Sequence, residues 1–136
     1  ILVQRMIPAD SVETIIGIVD DAAFGPGVVL GLGVIFVELL KDATLRLPPV
    51  SGHDARMMIA DLKGRQILDG FRGSPASDKE ALITAIVQIG QLATDFSGMI
   101  TSLDINPLMV LPEGQGVVAA DILIEMSPVA HRKTQQ

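Results

Sequence analysis

The residues best placed to do chemistry in this chain are Asp104-Ile105-Asn106-Pro107, with Asp121 following. Alternate residues of a β-strand share a face, so Asp104 and Asn106 point one way while Leu103 and Ile105 point into the core. With a hairpin turn centred near Gly114, Asn106 lies opposite a position within one residue of Asp121, which brings a third oxygen alongside. Hard cations such as Mg²⁺ take carboxylate and amide oxygens and keep waters or phosphate oxygens in their remaining positions. The same residues also suit the polar face of an exposed hairpin that bends at Asn106-Pro107, and spacing alone does not choose between the two.

Two other clusters could handle phosphate. Gly25-Pro26-Gly27 with Gly31-Leu32-Gly33, flanked by Asp20, Glu38 and Lys41, could form a cradle because glycine lets backbone N–H groups approach an anion closely. It matches neither a Walker A nor a Rossmann pattern, and the same glycines suit tight turns and bulges. In Gly70-Phe71-Arg72-Gly73 a guanidinium between glycines could grip phosphate bidentately, or simply sit on the surface. His53 and His131, the two histidines, fall at a helix start and in a polar tail, so neither is read as a catalytic base. No Gly-x-Ser-x-Gly elbow or Cys/His pair is present, which removes the usual nucleophilic hydrolases.

These groups must be positioned by a chain of 136 residues, enough for one domain with one packed core. Hydrophobic residues make up 49% against 19% charged, and the mean hydropathy of +0.47 suggests an apolar face shared with something else. The longest uncharged stretch, residues 22–37, is broken by glycines and a proline and is too short for a membrane span. A net charge of −6 argues against nucleic acid as a partner. The lack of cysteine excludes disulfides, thiolate zinc sites and a cysteine nucleophile, and is compatible with a reducing cytoplasm. Ile1-Leu2-Val3-Gln4-Arg5 resembles neither a signal peptide nor a natural start, so the chain reads as cut from something longer.

Residues 1–7 are apolar and β-branched enough for a strand, with a turn at Pro8-Ala9-Asp10-Ser11. A strand over 12–19, a loop over 20–27 and strand material over 28–32, 35–40 and 43–47 make a β-rich first half that ends at Pro48-Pro49. Ser51 is the expected N-cap of a helix through Leu62, and Ser77 or Asp78 caps a second helix to about Thr94 whose broad apolar stripe predicts burial of most of its circumference. Residues 66–75 read as a loop, 100–111 and 117–125 as the arms of a hairpin, and 126–136 as a frayed polar tail. The fold class expected is α/β (α+β), a largely antiparallel sheet packed with two main helices, in one domain over 1–125.

Several stretches together resemble one family: Val3-Gln4-Arg5-Met6, Val12-Glu13-Thr14-Ile15-Ile16-Gly17, Asp21-Ala22-Ala23-Phe24-Gly25-Pro26, Gly31-Leu32-Gly33-Val34-Ile35-Phe36-Val37-Glu38 and Leu103-Asp104-Ile105-Asn106-Pro107-Leu108. They are similar to the NDP-forming (ADP-forming) acyl-CoA synthetases, in the C-terminal part of an ATP-grasp domain related to the succinyl-CoA synthetase β subunit. The likeness runs from Ile1 to about Ile124 in family order and includes Leu68 to Gly73.

The resemblance implies an acid-thiol ligase that interconverts acyl-CoA, ADP and phosphate with carboxylic acid, CoA and ATP, using Mg²⁺ and ATP or ADP. It makes Gln4, Arg5 and Met6 candidates for adenine contacts, adds Glu13 just after that hinge, and gives Gly31, Gly33 and Arg72 possible nucleotide roles. Asn106 and Asp121 match metal-holding positions, and Asp104 stands where the relatives carry glutamate. Val34 departs from the family's Gly-Leu-Gly-Gly loop and puts phosphate handling there in question. The first ATP-grasp subdomain, the CoA-binding domain and the phosphohistidine segments are not in this sequence, so the piece alone is expected to be inactive. It is expected to associate with those missing parts, to self-associate in isolation through its apolar surface, and to be cytoplasmic. A non-catalytic nucleotide-binding or scaffolding ATP-grasp module is the alternative.

Overall fold

The computed structural model describes residues 1–33 and 42–128. The expected strand over 35–40, with Val34, Glu38 and Lys41, lies outside the described residues, as does 129–136. In chain order the elements are β1 (Val12–Asp21), β2 (Gly25–Leu32), β3 (Ala43–Arg46), α1 (Gly52–Asp61), a 3₁₀ turn (Arg65–Asp69), α2 (Lys79–Asp95), β4 (Ile100–Val110), β5 (Val117–Ala119) and β6 (Ile122–Met126). Among the described residues the strands form one antiparallel six-stranded sheet in the order β3-β2-β1-β4-β5. β6 joins it along the edge of β4 that β5 also uses.

Alternation assigns the two faces. Ile16 and Ile18 of β1, Val28, Leu30 and Leu32 of β2, and Leu103, Ile105, Leu108 and Val110 of β4 are buried and pack against Ala55, Met58 and Ile59 of α1 and Leu82, Ile83 and Ile86 of α2. The described helices therefore cover one face of the sheet. Residues of opposite parity, including Glu13, Ile15, Gly17, Val29, Gly31 and Asp104, form the face opposite the helices.

Local chemistry fixes the helix positions. The Ser51 hydroxyl accepts from the Asp54 amide at 3.1 Å while the Asp54 carboxylate accepts from the Ser51 amide at 2.8 Å, a reciprocal capping box that starts α1 where expected. Asp78, one of the two expected caps, starts α2 by accepting from the Ala81 amide at 3.1 Å. Its second oxygen accepts from the Gly116 amide at 2.8 Å, so one carboxylate ties the helix start to the β4–β5 turn. Asp42, nearly inaccessible, accepts from the Lys63 and Gly64 amides at 2.6 and 2.8 Å and holds the chain leaving α1.

Three expectations need correction. Residues 1–7 form no strand in this structure: Ile1, Leu2, Val3 and Met6 are exposed and no described strand offers the segment a ladder, without which β-propensity alone does not order it. The loop expected over 20–27 is a tight turn at residues 22–24, because the Asp21 carboxylate accepts from the Ala23 and Phe24 amides and both strands continue up to it. The second hairpin arm is interrupted at Ala120-Asp121, giving β5 and β6, and β6 runs through Met126 into the segment expected to be tail.

Candidate functional site

The site is assembled on β4 by an irregularity in its pairing with β1. Ile16 pairs with Ile105 and Thr14 with Leu108, so two residues of β1 advance against three of β4 and Asn106-Pro107 bulges opposite Ile15. The extra residue resets parity. Asp104 and Asn106 turn to the open face, yet Leu108 and Val110 return to the core. Thr14, fully buried, donates its hydroxyl to the Leu108 carbonyl at 2.8 Å and fixes the register beyond the bulge.

On the other edge of β4, Ile105 pairs with Ile122 and Asp104 with Leu123. Asn106 consequently stands opposite Asp121, and its amide donates to the Asp121 carbonyl at 3.1 Å. The amide of Ala120 donates to the Pro107 carbonyl at 3.0 Å, which locks the break between β5 and β6 against the bulge. Residues opposite one another share a face, so the three predicted oxygen donors Asp104, Asn106 and Asp121 stand on the open face as the spacing implied. Asn106 is half-buried and both aspartates are exposed. Among the described residues no three His, Cys, Asp or Glu side chains gather as a metal site. The set here is two carboxylates and an amide, which fits a hard cation that takes its other oxygens from phosphate and water.

The other predicted residues fall into three places. Gly31 pairs with Ile15 and so lies two strands from Asn106 on the open face, roughly 10 Å away at ~4.8 Å per strand, and Glu13, opposite Met109, shares that face and that end of the sheet. Gly33, at φ 56°, leads out of β2 at the same end. Gly25 to Gly27 lies at the opposite end of β2, so the two glycine groups do not form one cradle; even Gly27 and Gly31 are held roughly 13 Å apart along the strand. Gln4 and Arg5, with Ile7, line a cleft of about 220 Å³ against Val118, Ala119 and Ala120, next in sequence to Asp121. Met6 is exposed and does not line it. Arg72 belongs to a separate cleft beside the turn into β1.

Sequence reasoning missed Gly17 and the Val118–Ala120 wall. Gly17 pairs with Asp104, and a Cβ there would run into the Leu103 carbonyl oxygen. The signal available for the wall was its place immediately before Asp121 in the returning arm.

An ATP-grasp domain model matches residues 1–126. The chain belongs to the ATP-grasp family. Over 112 residues it is 41% identical to the β subunit of acetate–CoA ligase (ADP-forming) II from Pyrococcus furiosus, covering 82% of this chain and 48% of that one. It is 40% identical over 124 residues to the 4-hydroxybutyrate–CoA ligase (ADP-forming) of Nitrosopumilus maritimus, covering 91% of this chain but 18% of the relative. Among solved structures, acetyl-coenzyme A synthetase 1 from Ca. Korarchaeum cryptofilum in complex with coenzyme A and Mg-AMPPCP superposes with a TM-score of 0.79 at 38% identity, over 85% of this chain and 53% of that one. The ATP-grasp chain thus spans about half the length of the β-subunit relative and under a fifth of the longer ligase. The resemblance to ADP-forming acyl-CoA synthetases and the antiparallel sheet with two helices are both borne out.

Proposed function

We propose that this chain supplies the magnesium-nucleotide wall of an ADP-forming acyl-CoA synthetase, the enzyme that interconverts acyl-CoA, ADP and phosphate with carboxylic acid, CoA and ATP. The observation that carries the reading is the convergence of Asn106 and Asp121 across one backbone hydrogen bond, with Asp104 two residues away on the same uncovered face. Those three side chains would hold Mg²⁺, which would supply positive charge to offset that developed in phosphoryl transfer. Gln4 and Arg5 against Val118–Ala120 form the neighbouring cleft, of a size and position suited to the base of the nucleotide. Glu13, Gly31 and Gly33 border the open face on the side of β4 away from that cleft. Parts of the parent enzyme beyond this chain, namely the first ATP-grasp subdomain and the CoA-binding domain, would close the cleft and supply the acyl and CoA chemistry. No helix among the described residues is long and apolar enough to cross a membrane; we place the parent enzyme in the cytoplasm.

Calorimetry of Mg-ADP binding tests the reading. The 136-residue chain is expected to bind weakly. Asn106→Ala and Asp121→Ala are each expected to weaken binding by about tenfold or more while the circular dichroism spectrum is unchanged. Binding equal to the parent chain in both variants, or none in the parent chain, would sink it.

The isolated chain is also proposed to self-associate through β6. Ile122, Leu123, Ile124 and Met126 are all exposed on a strand that, among the described residues, pairs only with β4 and leaves its other edge apolar and unpaired. Light scattering at several concentrations should show dimers or larger species that Ile124→Lys disperses. A monomer at every concentration contradicts this.

A further inference from the structure

We infer that the Gly70–Gly73 loop and the turn entering β1 form a second anion site, separate from the magnesium-nucleotide face, that takes a phosphate oxyanion. Arg72 adopts φ 52°, the left-handed region, and is the one non-glycine residue described with a positive φ. Gly70 and Gly73 on either side have φ 89° and 87°. A glycine at position 72 would hold this conformation at lower cost, so the fold carries strain in order to present an arginine here.

The guanidinium is available. It stacks over the Phe71 ring at 5.2 Å, which orients it, and among the described residues it forms no ion pair. It lines a cleft of about 310 Å³ with Asp10, Ser11, Ile67, Ser74 and Pro75. Asp10 shares the cleft without capturing Arg72 in an ion pair. The Ser11 hydroxyl is buried and, among the described residues, has no hydrogen-bond partner. A buried hydroxyl without a partner is costly, and a χ1 rotation that turned it into the cleft would give it an oxyanion on Arg72 as acceptor. The fork of guanidinium donors with one hydroxyl suits phosphate geometry, and Asp10 limits the negative charge the cleft tolerates. None of these residues lines the cleft beside Asp121 or stands among the three oxygen donors on β4. The inference does not rest on the magnesium reading.

The test is amide NMR on the 136-residue chain with inorganic phosphate, in the absence of magnesium and nucleotide. The amides of Ser11, Phe71, Arg72 and Gly73 are expected to shift and saturate in the millimolar range. Arg72→Gly, which the backbone accommodates better than arginine, should fold with a raised Tm and lose at least about tenfold in phosphate affinity. Asp10→Asn should tighten binding roughly twofold to fivefold by removing a like charge. Phenyl phosphate distinguishes the source: tighter binding than free phosphate assigns the site to a phosphorylated organic group packed on Phe71, and equal binding assigns it to free phosphate. The inference is overturned if phosphate shifts none of these amides at tens of millimolar, if Arg72→Gly binds as well as the parent chain, or if saturating Mg-ADP displaces the phosphate.

Discussion

The helix-covered face of the sheet and its open face are built from the same strands, alternate residue by alternate residue, yet they carry different work. On the covered face Ile16, Leu30, Leu103 and Ile105 are buried among the side chains of α1 and α2. On the open face the same strands present Gly17, Gly31, Asp104 and Asn106. Strand parity thus separates stability from chemistry, and the bulge at Asn106-Pro107 is what lets β4 serve both: it spends one extra residue to turn Asn106 outward and still return Leu108 inward. A second consequence concerns position along the strands. The oxygen donors, Glu13 and Gly31 gather toward the end where β1 begins, while Phe24 and the turn at Asp21 mark the far end.

The largest expected effect comes from crossing that division on the covered side. Leu30, fully buried at the centre of β2, should cost about 2–5 kcal/mol when replaced by alanine, through lost burial and the cavity left behind. Asp104→Ala on the open face should change stability by under ~0.5 kcal/mol, since an exposed carboxylate with no ion pair among the described residues contributes little to folding. Urea denaturation measures both. Equal losses would break the separation of faces.

A smaller effect sharpens it. Gly17 lies on the open face, so parity alone predicts a tolerant position, but a Cβ there would meet the Leu103 carbonyl of the neighbouring strand. A backbone oxygen cannot step aside without loosening β1 from β4, and Gly17→Ala is expected to destabilise by about 1–3 kcal/mol in the same assay. Because Gly17 pairs with Asp104, the variant should also weaken Mg-ADP binding more than its stability loss explains. A fully stable variant would mean that the strands separate more easily than their pairing implies.

What the sequence made legible follows the range of the forces involved. The starts of α1 and α2 were readable at Ser51 and Asp78, because a cap is settled within three residues. The open-face direction of Asp104 and Asn106 was readable from alternation, a local property of strands. Asn106 could be brought only to within one residue of Asp121, since the register depends on the turn at residues 112–116 and on a bulge opposite Ile15 that no local pattern announces. The same non-locality hid the break at Ala120-Asp121, which falls where the arm passes the bulged Asn106-Pro107, with the Ala120 amide donating to the Pro107 carbonyl. Residues 1–7 look like a strand by composition, but a strand is a relation between segments, and no described segment pairs with them. Arg72 was read as a possible phosphate grip and the oxygen donors as a metal site, but how far apart they stand was not readable because chemistry types residues without locating them; the fold puts Arg72 in a cleft beside the turn into β1 and the donors on the open face of β4 and its partner arm.

The smallest effect tests the covering layer at its edge. The Asp54 carboxylate is held below its ordinary value of 3.8, chiefly by the hydrogen bond from the Ser51 hydroxyl, then by the Ser51 amide, with His53 and Arg46 adding minor attraction against a small opposing effect of burial. A carboxyl whose folded pKa is depressed stabilises the fold above its unfolded value and loses that contribution as pH falls through the folded one. The capping box should therefore act in full at neutral pH and fade below about pH 3.8. Ser51→Ala is expected to lower Tm by roughly 3 °C at pH 7, the loss of one N-cap in a domain of this size. Asp54→Asn should show the matching pH dependence: a Tm deficit that is constant from pH 8 to 5 and narrows as the parent chain's own carboxyl is protonated. A deficit that persists unchanged at pH 3 would mean that Asp54 acts through shape and not charge, and that the start of α1 is held by packing against the covered face instead of by its cap.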